Sequence, residues 1–259
     1  MEETIFPIKY KEHNLEISAF IRKKSDSWIL CFHGLQSNKN MFNELLSKPF
    51  FENYSLLAID FVGFGSSSKP EKFSYDIFDQ AKICQEIILS LNLHKITIIG
   101  HSLGGMVGTL LLKMLPDRIV SFINMEGNLV LEDCSTSRDV EKFTFQEFHE
   151  KEFQKIQESL QKSNVKNAKY RAAWVQLIPD YAFYRSSLSI VHWSRSRKLL
   201  PLFLDAKQKR LFLYGDKNKS QIASLQNKIP LAEISNAGHF MLLDNFEECV
   251  QKIEEFLEH

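Results

Sequence analysis

Lys95-Ile96-Thr97-Ile98-Ile99-Gly100-His101-Ser102-Leu103-Gly104-Gly105 is the stretch on which the reading of the fold turns. A short β-branched run stops at a glycine, a serine follows within two residues, and apolar residues then recur at helical spacing as far as Leu115. A strand that feeds a helix through so short a corner leaves Ser102 with strained backbone angles and its hydroxyl at the helix N-terminus, so small residues must flank it. Gly100, Gly104 and Gly105 meet that demand. The pattern Gly100-His101-Ser102-Leu103-Gly104 is specific because a strand precedes it and a helix follows. An ordinary serine at a glycine-bearing helix start is the bland alternative, and the rest of the chain weighs against it.

Similar apolar runs lie outward from this corner in both directions. Two opening strands fit the loose alternation from Lys9 to Arg22, and Trp28 to Phe32 is a buried strand that closes on His33-Gly34. Ser55 to Ile59 ends on Asp60 and a glycine-rich turn. Ser121 to Met125, Arg210 to Tyr214 and Leu231 to Ser235 complete eight strands. Helical spacing covers Lys39 to Ser47, Asp76 to Leu91 and Leu103 to Leu115, and the spacing of Asp244 and Glu247 predicts a capping box at the start of the closing helix. Buried strands that alternate with helices predict an α/β fold: a mostly parallel eight-stranded sheet with helices on both faces and its chemistry at the carboxyl ends of the strands. The alternation breaks over 127–209, which reads as a helical cap inserted between strands 6 and 7, leaving 1–126 and 210–259 as the core.

Composition narrows the partners. The 259 residues carry 32 Lys plus Arg against 32 Asp plus Glu, so no net field draws the chain to nucleic acid or an anionic membrane. The opening Met1-Glu2-Glu3-Thr4 lacks the basic start and apolar stretch of a secretory signal, and no stretch has the composition of a spanning helix, so a cytoplasmic protein without integral membrane association is expected. Cys31, Cys84, Cys134 and Cys249 form no C-x-x-C pair and read as reduced thiols. No residue pattern requires a metal or an organic cofactor.

With these motifs the chain resembles the α/β hydrolase superfamily over nearly its whole length. The resemblance rests on His33-Gly34, on Asp60-Phe61-Val62-Gly63-Phe64-Gly65-Ser66-Ser67, on Gly100 to Gly105 and on Gly238-His239-Phe240. It implies that Ser102 is a nucleophile and that the amides of Leu35 and Leu103 form an oxyanion hole. His33, Gly34, Gly100, His101 and Gly104 are then supporting residues, and Asp60 a loop stabiliser. His239, between the last short strand and the final helix, stands where the superfamily carries its base. In most relatives the acid is the third residue after the glycine that ends the penultimate strand, but that position here is Asn218. Two carboxylates remain as the acid: Glu126, directly after the strand that ends at Met125, and Asp216, in the same loop as Asn218. In some members, such as haloalkane dehalogenases, the acid does follow the earlier strand, and both choices keep the order Ser, acid, His.

The reading is thus a Ser-His-acid hydrolase that cleaves a carboxylic ester or thioester through an acyl-enzyme, with a small apolar acyl substrate. Phe143, Phe145, Phe148, Phe153 and the aromatics from Tyr170 to Trp193 either line an acyl pocket or pack the cap onto the sheet. Arg185, Arg195, Arg197 and Lys198 either steer an anionic substrate or form a solvated face, and the second reading is preferred. A carbon-carbon bond hydrolase with the same triad and a non-catalytic ligand-binding homologue are the rival functions.

Overall fold

The computed structural model describes residues 1–258. Its strands are β1 (Glu2–Tyr10), β2 (His13–Arg22), β3 (Trp28–Phe32), β4 (Ser55–Ile59), β5 (Ile96–His101), β6 (Ile119–Met125), β7 (Lys209–Gly215) and β8 (Leu231–Ile234). They form one sheet in the order β1-β2-β4-β3-β5-β6-β7-β8. The β1–β2 hairpin and the β2–β4 pair are antiparallel, and the remaining pairs run parallel. The opening hairpin begins at Glu2 rather than near Lys9, because β1 alternates exposed and half-buried residues and lies at the sheet edge.

The inner strands are buried on both faces, as continuous apolar runs require. Leu30 and Phe32 of β3 point into one core, while Ile29 and Cys31 point into another. Over the first face lie α2 (Ile77–Ser90) and α3 (Leu103–Met114), and over the second lies a short α1 (Asn43–Leu46). The Lys39 to Ser47 helix divides into a 3-10 turn at Lys39–Phe42 and α1, because Asn38 caps the turn and the Lys39 side chain is pulled into the core toward Asp60.

Between β6 and β7 the chain is helical: α4 (Ser135–Val140), α5 (Phe145–Glu147), α6 (Phe153–Lys162), α7 (Ala168–Val175), α8 (Asp180–Arg195) and α9 (Leu199–Asp205). After β8 come α10 (Met241–Asp244) and α11 (Phe246–Glu258). The expected capping box of Asp244 and Glu247 does not form. Asp244 accepts instead from the Gly238 amide at 2.9 Å and from Asn167 Nδ2 at 2.7 Å, and Glu247 pairs with Lys48 at 3.0 Å, so α11 starts two residues later. Among the described residues no helix is long and apolar enough to cross a membrane.

Sheet order decides what can meet. β5 lies between β3 and β6, and β7 and β8 follow outward, so the loops after β3, β5, β6, β7 and β8 emerge side by side at one edge.

Candidate active site

Ser102 leaves β5 at φ 53° and ψ −119°, a left-handed conformation that costs a non-glycine residue about 1–3 kcal/mol. Close packing enforces the corner: a Cβ on Gly104 would lie 2.1 Å from the Phe32 carbonyl oxygen, and one on Gly100 would lie 2.5 Å from that of Gly104. The Ser102 amide donates to Met125 O at 2.9 Å, tying the corner to the end of β6. Leu103 is the first residue of α3, so its amide is among those the helix leaves unpaired. Leu35 lines the same small chamber as Ser102 and His239, and a Cβ on Gly34 would stand 3.0 Å from Ser102 Cβ, which measures how closely that loop approaches the serine.

Glu126, fully buried and itself left-handed at φ 47°, turns its carboxylate toward His239. Its Oε2 lies 2.7 Å from His239 Nδ1, and Asn218 Nδ2 donates to the same oxygen at 2.8 Å. Oε1 accepts from the Gly215 amide at 2.8 Å. Asp216 lies elsewhere: its two oxygens accept from the Asn236 and Ala237 amides at 2.9 and 3.0 Å, so it braces the loop that leads to His239. Those amide bonds also hold its carboxyl below the ordinary range. Burial pulls the His239 pKa down, but the Glu126 hydrogen bond and charge together outweigh it, and the net shift is upward.

Two other histidines serve the frame. His101 is fully buried; burial and then the neighbouring His239 hold its pKa well below the usual value, and the neutral ring donates from Nε2 to the His239 carbonyl at 2.8 Å. His33 is lowered to about 4 by burial, and its Nε2 accepts from the Phe61 amide at 3.1 Å, so Nδ1 carries the proton and donates to Gly34 O at 2.8 Å. Both rings fix backbone that borders Ser102.

Residues that the sequence reading did not single out complete the wall. Ser102 Oγ donates weakly to Asn128 Oδ1 at 3.4 Å, and Asn128 Nδ2 donates to Asp133 O at 2.8 Å. Asp133 Oδ2 accepts from the Asn128 amide at 3.0 Å, while its buried Oδ1 has no hydrogen-bond partner among the described residues. Burial pushes the Asp133 carboxyl up to about 8, with the Glu126 charge adding to the shift. One ligand atom each from Glu126, Asp133 and His239 lie within 4.8 Å of one another, a spacing a metal ion could use. The Glu126–His239 contact at 2.7 Å is a closed hydrogen bond, however, and two ligands of a tetrahedral ion stand roughly 3.3 Å apart, so an ion would have to open it. No signal in the sequence marks Asp133, which sits in a 3-10 turn at Leu131–Asp133 outside any periodic element.

The chain as a whole has counterparts among known proteins. The chain is 24% identical over 237 residues to "Putative esterase/lipase 1" of Mycoplasma pneumoniae, a match that covers 84% of this chain and 87% of that protein. It is 31% identical over 100 residues to a serine hydrolase-like protein of Danio rerio, covering 38% of this chain and 30% of the relative. The chain spans about a third of the length of the mycobacterial relatives it matches, 31%. Among solved structures, an esterase from Exiguobacterium antarcticum superposes with a TM-score of 0.78 at 18% identity, over 95% of this chain and 97% of that one. A bromoperoxidase from Bacillus anthracis superposes with a TM-score of 0.81 at 15% identity, over 100% of both chains. At those identities the likeness is one of fold. The model of the alpha/beta hydrolase fold matches residues 27–246, which takes in every loop of the site, and this chain belongs to that family.

Proposed function

We propose that the protein is a serine hydrolase that cleaves a carboxylic ester or thioester of a small apolar acyl group through an acyl-enzyme, with residues 127–209 as a cap over the site. The observation that carries this reading is the 2.7 Å contact between Glu126 Oε2 and His239 Nδ1, in a chamber whose wall also holds Ser102. Glu126 acts as the acid: it fixes the ring with the proton on Nδ1 and leaves Nε2 as the base. His239 takes the Ser102 proton as Oγ attacks the carbonyl carbon, and the oxyanion is held by the amides of Leu35 and Leu103. The imidazolium then returns the proton to the departing oxygen or sulfur. Water, deprotonated by the same ring, attacks the acyl-enzyme and releases the acid. Asp216 is a brace of the loop, not the acid.

Labelling of the purified protein with a fluorophosphonate tests this. Wild type is expected to label and Ser102→Ala not, with ester turnover in that variant down by several orders of magnitude to about a thousandfold over water. A folded wild type that neither labels nor hydrolyses esters would leave a ligand-binding protein in place of the enzyme.

A further inference from the structure

The chamber at Ser102 is only about 30 Å³, room for little more than a water. Gln36 and Thr136 line it and also line a second cavity of about 310 Å³, so the two adjoin. The larger one is walled by Val140, Phe143, Phe148, Ile156 and Leu160, an apolar lining that suits a hydrocarbon chain.

Four charged side chains line this cavity, and three of them are paired. Asp139 holds Lys142 at 2.6 Å, and Glu152 holds the lining Lys155 at 2.5 Å. Arg171 has no such partner. Among the described residues no carboxylate oxygen comes within 4.0 Å of it: Nε donates to Gln36 Oε1 at 2.9 Å, Nη2 donates to the same oxygen, and Nη1 donates to Asn167 Oδ1 at 3.2 Å. Asp244, the carboxylate that acts on it from further away, has Oδ1 occupied by Asn167 Nδ2. The guanidinium lies 4.4 Å above the ring of Phe240, the residue next to His239, and its charge is felt at both His101 and His239. Burial lowers its pKa to about 10, so it stays a cation at neutral pH while partly stripped of water. A planar fork with unpaired charge, oriented by neutral amides at the seam between nucleophile and apolar cavity, is built to receive an anion. Burial raises the pKa of Asp133, the carboxyl on the chamber wall, which favours its uncharged form and weakens its opposition to an anion.

We propose that Arg171 is the anion-binding residue of the site, and that the substrate is an ester with a carboxylate or phosphate a few bonds from the scissile carbonyl and an apolar chain that enters the 310 Å³ cavity. This rests on the hydrolase reading above, but its test does not depend on turnover. In full-length Ser102→Ala, calorimetry compares hexanoate, hexyl phosphate and hexanol. One of the anions is expected to bind about tenfold or more tighter than the alcohol, as a charge-assisted hydrogen bond allows, and the tighter of the two identifies the anion source. Adding Arg171→Gln is expected to remove that preference, and Arg171→Lys to retain part of it. Equal binding of anion and alcohol, no detectable binding of either anion, or an Arg171→Gln loss of the same size for all three ligands would overturn the proposal. Should wild type label with fluorophosphonate while Ser102→Ala shows no anion preference, the substrate class fails and the hydrolase stands.

Discussion

Two buried carboxylates, Asp60 and Glu126, each follow the last residue or two of a parallel strand, and each has a basic partner within 2.7 Å. Their surroundings differ in kind. Asp60 is closed in by Lys39 Nζ at 2.7 Å, the Lys39 amide at 2.7 Å and the Ser66 amide at 2.9 Å, and the Lys39 side chain is only 2% exposed. Glu126 is equally enclosed by the Gly215 amide and Asn218, but its basic partner is a histidine whose side chain is 32% exposed and borders the Ser102 chamber. A lysine partner holds its charge across the physiological range, whereas an imidazole can exchange a proton at neutral pH. The same device, a carboxylate at a strand end, locks a loop in one place and leaves a movable proton in the other.

The comparison breaks most sharply under substitution of Glu126. Glu126→Gln keeps the shape and removes the charge that favours the imidazolium, so kcat for an aryl ester is expected to fall about 10⁴-fold with the fold retained by circular dichroism. A fall of less than tenfold would remove Glu126 from the mechanism. Asp60→Asn should do the reverse. It strands the buried Lys39 ammonium, for which Glu3 at 3.0 Å is a half-exposed and weaker partner, and the expected cost is about 3–5 kcal/mol in denaturant unfolding, with labelling of the folded fraction retained. Loss of labelling in folded Asp60→Asn would mean that the two carboxylates are not separate in role.

This division was half legible in the sequence. Asp60 lies in a run of glycines and serines that reads as a turn, and its structural role follows from that. The acid stayed open because Glu126 and Asp216 both follow a strand end within a residue of a glycine, and chain order cannot say which carboxylate reaches His239 and which caps the Asn236 and Ala237 amides. Side-chain geometry separates the two: Glu126 Oε2 lies 2.7 Å from His239 Nδ1, while both Asp216 oxygens accept from the Asn236 and Ala237 amides. The strands were readable because burial on both faces makes them continuously apolar. Arg171 was not, because a charged residue on a helix reads as a solvated face until the neighbours that bury it are known. The capping box failed for a similar reason: Asp244 has the right spacing, but its oxygens go to Gly238 and Asn167, one near in sequence and one distant.

A smaller effect comes from another buried carboxyl, Asp133. Asp133 is raised by burial to about 8 against an ordinary 3.8, with Glu126 adding to the shift and His239 opposing it. Because the folded value is the higher one, the native state binds more protons than the unfolded chain between the two. That contribution to stability is fully present below the unfolded pKa and is lost as pH rises through the folded one. Unfolding free energy should therefore decline between about pH 5 and about pH 8, by more than about 1.4 kcal/mol, the worth of one pKa unit. His239, whose pKa is also raised, adds a loss of the same sign. Asp133→Asn should flatten the curve relative to wild type, and an unchanged slope would show that Asp133 does not carry it.

The smallest effect concerns Asn218, in the loop after β7. Asn218 stands where most relatives of this fold carry the acid, and its amide donates to Glu126 Oε2 at 2.8 Å, the oxygen that holds His239. On the proposed reading it supports the Glu126 carboxylate, and Asn218→Ala is expected to lower kcat by about tenfold, the worth of one hydrogen bond to a charged group. Asn218→Asp in the wild-type background sets a second carboxylate against Glu126 and should also impair turnover. In the Glu126→Gln background the same change supplies a carboxylate one hydrogen bond from the histidine's partner, and about tenfold of the lost activity should return. Rescue would show that the strand-end positions after β6 and β7 are exchangeable sources of one charge. No rescue, with both variants folded, would mean that Glu126 is required for its own path to Nδ1 and that Asn218 serves only to hold it.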